Sequence, residues 1–197
     1  MPNIVSVSKT KKSIYDLINI DKKKIILFSA SWITPNKKIE KLINLDRLLD
    51  KKFILIFFGN FGHDEKYNKK IKKLINQNQK KVFFLKAREN IQEIMYSVDY
   101  VISMCTTDSF NRIAAEGMIE KKVVLVVKNT APEEFIINNE NGFIGNNLSS
   151  FKKFINKTES DKYKKKNIGL KANKTIRNNY SKKILQNNFY KILKNES

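Results

Sequence analysis

Residues 100–127 read YVISMCTTDSFNRIAAEGMIEKKVVLVV: an apolar run from Tyr100 to Met104, a polar turn, a helical pattern, and a second apolar run from Val123 to Val127. Continuous rather than alternating apolarity marks strands buried on both faces, and two such strands joined through a helix lie parallel. The pattern repeats on the N-terminal side. Strand-length runs occur at Ile25 to Ser29, Phe53 to Phe58 and Val82 to Leu85. Segments of helical spacing separate them, such as Ile39, Leu42, Ile43 and Leu45, or Tyr67, Ile71, Leu74 and Ile75. Strand, helix, strand repeated four times predicts an α/β fold, a Rossmann-like doubly wound parallel sheet whose ligands bind outside the carboxyl ends of the strands.

Two carboxylates stand out in the opening segment. Asp108 falls in the turn and Glu116 eight positions later, a spacing that puts Glu116 two turns into a helix and lets both acids border one cleft. Between them, the backbone N–H groups of Ser109, Phe110 and Asn111 are expected at the helix N-terminus, where open donors and the helix dipole suit a diphosphate. The residues alone leave each acid a second role, Asp108 as a helix cap and Glu116 on a solvated face.

The formal charge is +20, yet Lys outnumbers Arg 35 to 4 and Asn reaches 24, a bias that A- and T-rich codon usage produces by itself. A chain built to grip phosphates recruits the rigid Arg fork, so no specific nucleic-acid partner is expected, whereas weak attraction to anionic membrane surfaces is. The single cysteine, Cys105, allows no internal disulfide, and the first thirty residues hold neither a signal-peptide pattern nor an apolar run of membrane-spanning length. The expected location is cytoplasmic, with peripheral contact at the inner face of the membrane. His63, the only histidine, reads as a surface-loop residue, and no metal cluster or nucleophilic triad assembles from the spacing.

Asp108-Ser-Phe-Asn-Arg-Ile-Ala-Ala-Glu116 resembles the E-x(7)-E segment of the C-terminal, nucleotide-binding half of family 4 glycosyltransferases. The family segment is usually a Glu, a small residue, Phe-Gly, apolar residues and Glu-Ala-Met. The resemblance runs from Lys24 to Gly145. Ile25-Ile-Leu-Phe with Pro35-Asn-Lys37 is similar to the first strand and its phosphate-binding loop, Gly59 and Gly62 to the glycines after the second strand, and Asn141-Gly-Phe-Ile to the late Asn-Gly turn. It implies a fold of two facing Rossmann-like lobes and retaining transfer from a nucleotide-diphosphate sugar, hexosyltransferase-like and without a metal or other cofactor.

The resemblance also implies roles. Glu116 would hold the ribose hydroxyls, Asp108 the donor-sugar hydroxyls, and Lys37 would neutralise the departing diphosphate, although the register does not separate Lys37 from Lys38. Lys86-Ala87-Arg88 would present backbone groups to the nucleobase, and Ser109, Phe110, Asn111 and Arg112 would complete the nucleotide-sugar site. Three departures are visible. Ser31 and Trp32 stand where the family has an arginine, the glycine usual near Lys86 is missing, and Thr130 and Ala131 replace paired glycines. Thr130-Ala-Pro-Glu133 instead reads as a capping box, and Trp32 is expected in the core.

The expected organisation is a linker or lead-in over 1–22, a Rossmann-like donor-binding domain over 23–157 and a C-terminal helical extension over 158–197. That extension ends in an amphipathic helix whose stripe of Ile184, Leu185, Phe189, Ile192 and Leu193 must cover the sheet or a partner. The function implied is the donor domain of a glycosyltransferase in polysaccharide or glycoconjugate biosynthesis. A separate acceptor-domain protein, or a longer enzyme, would complete it, and alone it is expected to bind donor without efficient transfer. Two other classes stay open: a nonenzymatic nucleotide-sugar-binding module, which the lost arginine favours, and a basic nucleic-acid or membrane-associated accessory protein whose binding would fall steeply with salt.

Overall fold

A strand covered on both faces has no solvent side, so its sequence is apolar throughout. The computed structural model describes residues 11–87 and 91–180, and in it the five expected runs form β1 (Ile25–Ala30), β2 (Phe53–Gly59), β3 (Val82–Lys86), β4 (Tyr100–Ser103) and β5 (Val123–Val127). A sixth strand, β6 (Phe143–Gly145), adds to them; three residues make too short a run to read, and pairing along β5 is what places it. All neighbours are parallel, in the order β3-β2-β1-β4-β5-β6.

Side chains alternate between two helical layers. Leu27, Leu55, Ile102 and Leu125 pack in one core with Leu42 and Ile43 of α2 (Ile39–Leu48), Tyr67 and Ile71 of α3 (Glu65–Asn76), and Phe151 and Ile155 of α6 (Leu148–Ser160). Ile26, Ile56, Val101 and Val124 pack in the other with α1 (Ile14–Ile18), α4 (Ile91–Met95), α5 (Arg112–Ile119) and α7 (Lys162–Tyr180). Residues 14–18, inside the stretch expected as a lead-in, thus form a helix whose Ile14 is fully buried. A single turn carries too little periodicity to be read from sequence. Helix α6 runs through the boundary expected at 157/158, and the stripe from Ile184 to Leu193 lies outside the described residues.

Two features prepare a crevice. Strand β1 follows β2 from Ile25↔Phe53 to Ala30↔Phe58 but meets β4 only at Leu27↔Tyr100 and Phe28↔Val101. The strands part at their carboxyl ends, where the connections leave in opposite directions, the usual ligand position of a doubly wound sheet. Gly59 closes β2 against the loop after β1: a Cβ there would stand 1.9 Å from the Ser31 carbonyl oxygen. Close approach of two backbones, rather than a turn, is what requires glycine at this position. Among the described residues no helix is long and apolar enough to cross a membrane.

Candidate functional site

The crevice has two connected compartments, of about 400 Å³ and 420 Å³, that share Ala30, Ser31, Trp32, Arg112 and Ile113. Glu116, Gly59, Ala87 and Ile91 line the first, and Lys37 and Asp108 the second.

The chain enters α5 through Asn111, which is left-handed at φ 56°. Asn tolerates this region better than most residues, which accounts for an Asn where the family pattern has Gly. The buried Asn111 side chain accepts from the Ala114 N–H at 3.2 Å and donates to Ser103 Oγ at 2.7 Å, fastening the helix to the end of β4. Asn111 is therefore the cap, and Asp108 is not. The helix begins at Arg112, so Glu116 stands one turn in rather than two. Ser109, Phe110 and Asn111 form the preceding loop, and the first helical N–H groups belong to Arg112 and Ile113. Ser109 is exposed, while the Phe110 ring packs on Phe135 and Tyr180 with centroids at 5.4 Å and 5.6 Å.

With the cap supplied by Asn111, the Asp108 carboxylate is free to pair with Lys37, whose Nζ also lies 3.4 Å from Cys105 Sγ. Lys37 ends the 3-10 turn Pro35–Lys37, which Asn36 ties to the loop after β4 by donating to Thr107 Oγ1 at 2.9 Å. Burial acts to lower the Lys37 pKa, but the hydrogen bond and charge of Asp108, aided by Cys105, outweigh it and hold the value above that of an ordinary lysine. Lys38 adopts φ 51° at the start of α2 and does not line the crevice, so the cation of the site is Lys37.

Glu116 is 3% exposed and still lines the first compartment. Its Oε1 accepts from Arg112 Nε at 2.7 Å and from Gln92 Nε2 at 3.5 Å, whereas Oε2 has no hydrogen-bond partner among the described residues. Burying a carboxylate is unfavourable unless its lone pairs are met, and Arg112, 65% exposed at its side chain, is a surface partner rather than a core one.

Of the pair expected at the base position, only Ala87 reaches the crevice. Its N–H is taken by the Gly59 carbonyl at 2.9 Å. Lys86 sits over the other core layer, beside Asn60, Phe61 and Phe84, and Arg88 lies outside the described residues. Trp32, expected in the core, is 57% exposed and lines both compartments. Its place just after β1, at the point where the sheet order reverses, is the signal that outranks its hydrophobicity. Neither Ser31 nor Trp32 offers a cation there, and among the described residues Arg112 is the arginine that borders both compartments. Cys105, Asn36, Ile91 and Gln92 complete the surroundings through contacts between distant chain positions, which no local pattern reveals.

The fold recurs in solved structures. Anabaena HepE in complex with UDP shares 20% identity at a TM-score of 0.86, the alignment covering 92% of this chain and 51% of that one. A glycosyltransferase from Rickettsia africae shares 23% at 0.78, covering 92% and 50%. The C-terminal domain of the group 1 glycosyl transferase LpcC from Francisella tularensis shares 18% at 0.74, covering 91% and 97%. The chain thus spans about half the length of the first two, and at these identities the likeness is one of fold, that of the C-terminal Rossmann-like domain. No curated protein matches the sequence. The sequence profile described as "Glycosyl transferases group 1" matches residues 11–175, a span that includes Lys37, Asp108 and Glu116. With most of its length inside that match, this chain belongs to the group 1 glycosyl transferases.

Proposed function

We propose that the chain is the donor-binding domain of a retaining, metal-independent glycosyltransferase of family 4, acting on a nucleoside-diphosphate sugar. The observation that carries this reading is the buried Glu116 carboxylate, which lines the crevice with one oxygen unpartnered among the described residues. An ionised carboxylate accepts two hydrogen bonds at once and suits the vicinal hydroxyls of a ribose. The nucleoside would occupy the compartment of Glu116, Ala87 and Ile91, and the diphosphate would lie along the N–H groups of Arg112 and Ile113. The sugar would reach Asp108.

Lys37 would then stabilise the charge that gathers on the leaving diphosphate, where a preorganised cation has its largest effect. Its pairing with Asp108 fixes the ammonium in place before the donor arrives. Arg112, able to leave Glu116 for a phosphate, stands in for the arginine missing at Ser31 and Trp32. Since the chain spans about half of the HepE and Rickettsia structures, we also propose that a second lobe, from a partner or a longer enzyme, supplies the acceptor side. The hexosyl donor, the cytoplasmic location and a role in polysaccharide or glycoconjugate assembly belong to the same proposal. Ser31 and Trp32 favour one second reading, a nonenzymatic nucleotide-sugar-binding module, which would show no transfer even with an acceptor lobe present.

Uridine diphosphate, the ligand of the HepE structure, is the first probe. Glu116→Gln is expected to weaken its binding by about 1.5 to 3 kcal/mol, the range for a hydrogen bond to a charged group, with an unchanged circular dichroism spectrum. Calorimetry that finds the affinity unaltered overturns the assignment.

A further inference from the structure

The amino ends of the strands, at the opposite end of the sheet from the crevice, hold a second depression of about 640 Å³ lined by nine lysines and two carboxylates. The lysines arrive from separate turns: Lys23 before β1, Lys52 before β2, Lys121 between α5 and β5, and Lys162 and Lys166 in α7. Both carboxylates, Asp99 and Glu159, are engaged by Lys165. Asp99 also accepts from the Ile26 N–H at 2.9 Å, and Glu159 from the Tyr100 hydroxyl at 2.7 Å. Lys122 turns inward to the Tyr96 carbonyl; burial, reinforced by Lys165 and Lys11 and opposed by Asp99 and Glu120, holds its pKa below that of an ordinary lysine. Lys23, Lys121, Lys162 and Lys166 have no acidic partner among the described residues.

A lysine-rich composition scatters lysines over a surface, and the carbonyl ends of α2 and α5 attract cations such as Lys52 and Lys121. Neither effect accounts for α7. Its first turn reads Lys162-Tyr-Lys-Lys-Lys166, four lysines against the one preceding Asp161, whose carboxylate accepts from the Lys164 N–H at 2.9 Å, at the end where the helix dipole is positive and lysine is unfavourable. Tyr163, beside Lys162, is 82% exposed, an apolar ring with a polar tip of the kind that settles at the level of lipid headgroups.

We propose that this face docks on the anionic phospholipid headgroups of a bilayer, with Lys23, Lys121, Lys162 and Lys166 meeting phosphates and Tyr163 entering the interfacial layer. Lysines on long stems, spread over several turns, suit many mobile headgroups; one rigid phosphate ligand would call for the planar fork of arginine. The face shares no residue with the crevice, so the inference stands or falls independently of the donor site.

Co-sedimentation of the purified chain with phosphatidylcholine vesicles, with and without phosphatidylglycerol, tests it. Binding is expected only with phosphatidylglycerol. Lys162→Glu with Lys166→Glu is expected to lower partitioning by about tenfold or more, and Lys69→Glu with Lys73→Glu, the same charge change on the exposed side of α3, by less than about twofold. Tyr163→Ser is expected to weaken binding at unchanged charge. Circular dichroism verifies the fold of each variant. Absence of phosphatidylglycerol-dependent binding, or equal losses from the two lysine pairs, overturns the proposal. Displacement by excess inorganic phosphate at constant ionic strength overturns it in favour of a small-anion site, and displacement only by duplex DNA in favour of a nucleic-acid surface.

Discussion

In the crevice at the carboxyl ends of the strands Lys37 meets Asp108 and Arg112 meets Glu116, while the depression at the amino ends is lined by nine lysines and two carboxylates. The crevice groups are also fixed by geometry: Asn111 sets where α5 starts, and Asn36 ties the Lys37 turn to the loop after β4. The amino-end lysines ride on turns, with flexible stems. Matched charges held in place select a ligand able to replace each existing bond by an equivalent one. A surplus of one sign attracts a diffuse partner, with a strength set by ionic strength.

The largest effect is expected from Gly59→Val, which forces a side chain against the Ser31 carbonyl. A stability loss of about 3 kcal/mol is expected from overpacking, with nucleoside binding impaired and vesicle binding of the folded fraction intact. Guanidinium titration measures the first effect, and a negligible loss would mean that the loop after β1 yields. Next in size is Lys37→Ala, expected to weaken uridine diphosphate by about 1.5 to 3 kcal/mol and uridine hardly at all. Equal losses for the two ligands in calorimetry would show that Lys37 supports the crevice rather than a phosphate. The smallest effect sharpens the other end: Lys162→Glu with Lys166→Glu is expected to raise stability by about 0.3 to 1 kcal/mol per charge in low salt, fading as salt is added. Thermal melts showing no low-salt gain would mean that the first turn of α7 is not repulsive.

The sheet was legible because strands covered on both faces write themselves as apolar runs, and Val123–Val127 matches its run residue for residue. β6 and α1 were not, since three strand residues and one helical turn take their meaning from what they pack against. In the crevice the spacing of Asp108 and Glu116 was legible, but the start of α5 was not. Asp108 and Asn111 are both good caps, and only the left-handed backbone of Asn111 decides between them. Lys37 and Lys38 are chemically identical neighbours, separated by a 3-10 turn that ends between them. At Trp32 hydrophobicity and topology point in opposite directions, and topology prevails. The basic face leaves no pattern in the sequence, because positions 23, 52, 121 and 162 converge only once the strands lie parallel.

Trp32 has one more consequence. It is the single tryptophan of the sequence, more than half exposed where the two compartments of the crevice join. The molecule therefore carries its own optical probe at one end of the sheet. A ligand that covers the indole changes its emission without any label, whereas a bilayer meeting the amino-end lysines leaves that signal unchanged, so a single fluorescence titration tells which end of the protein has been occupied.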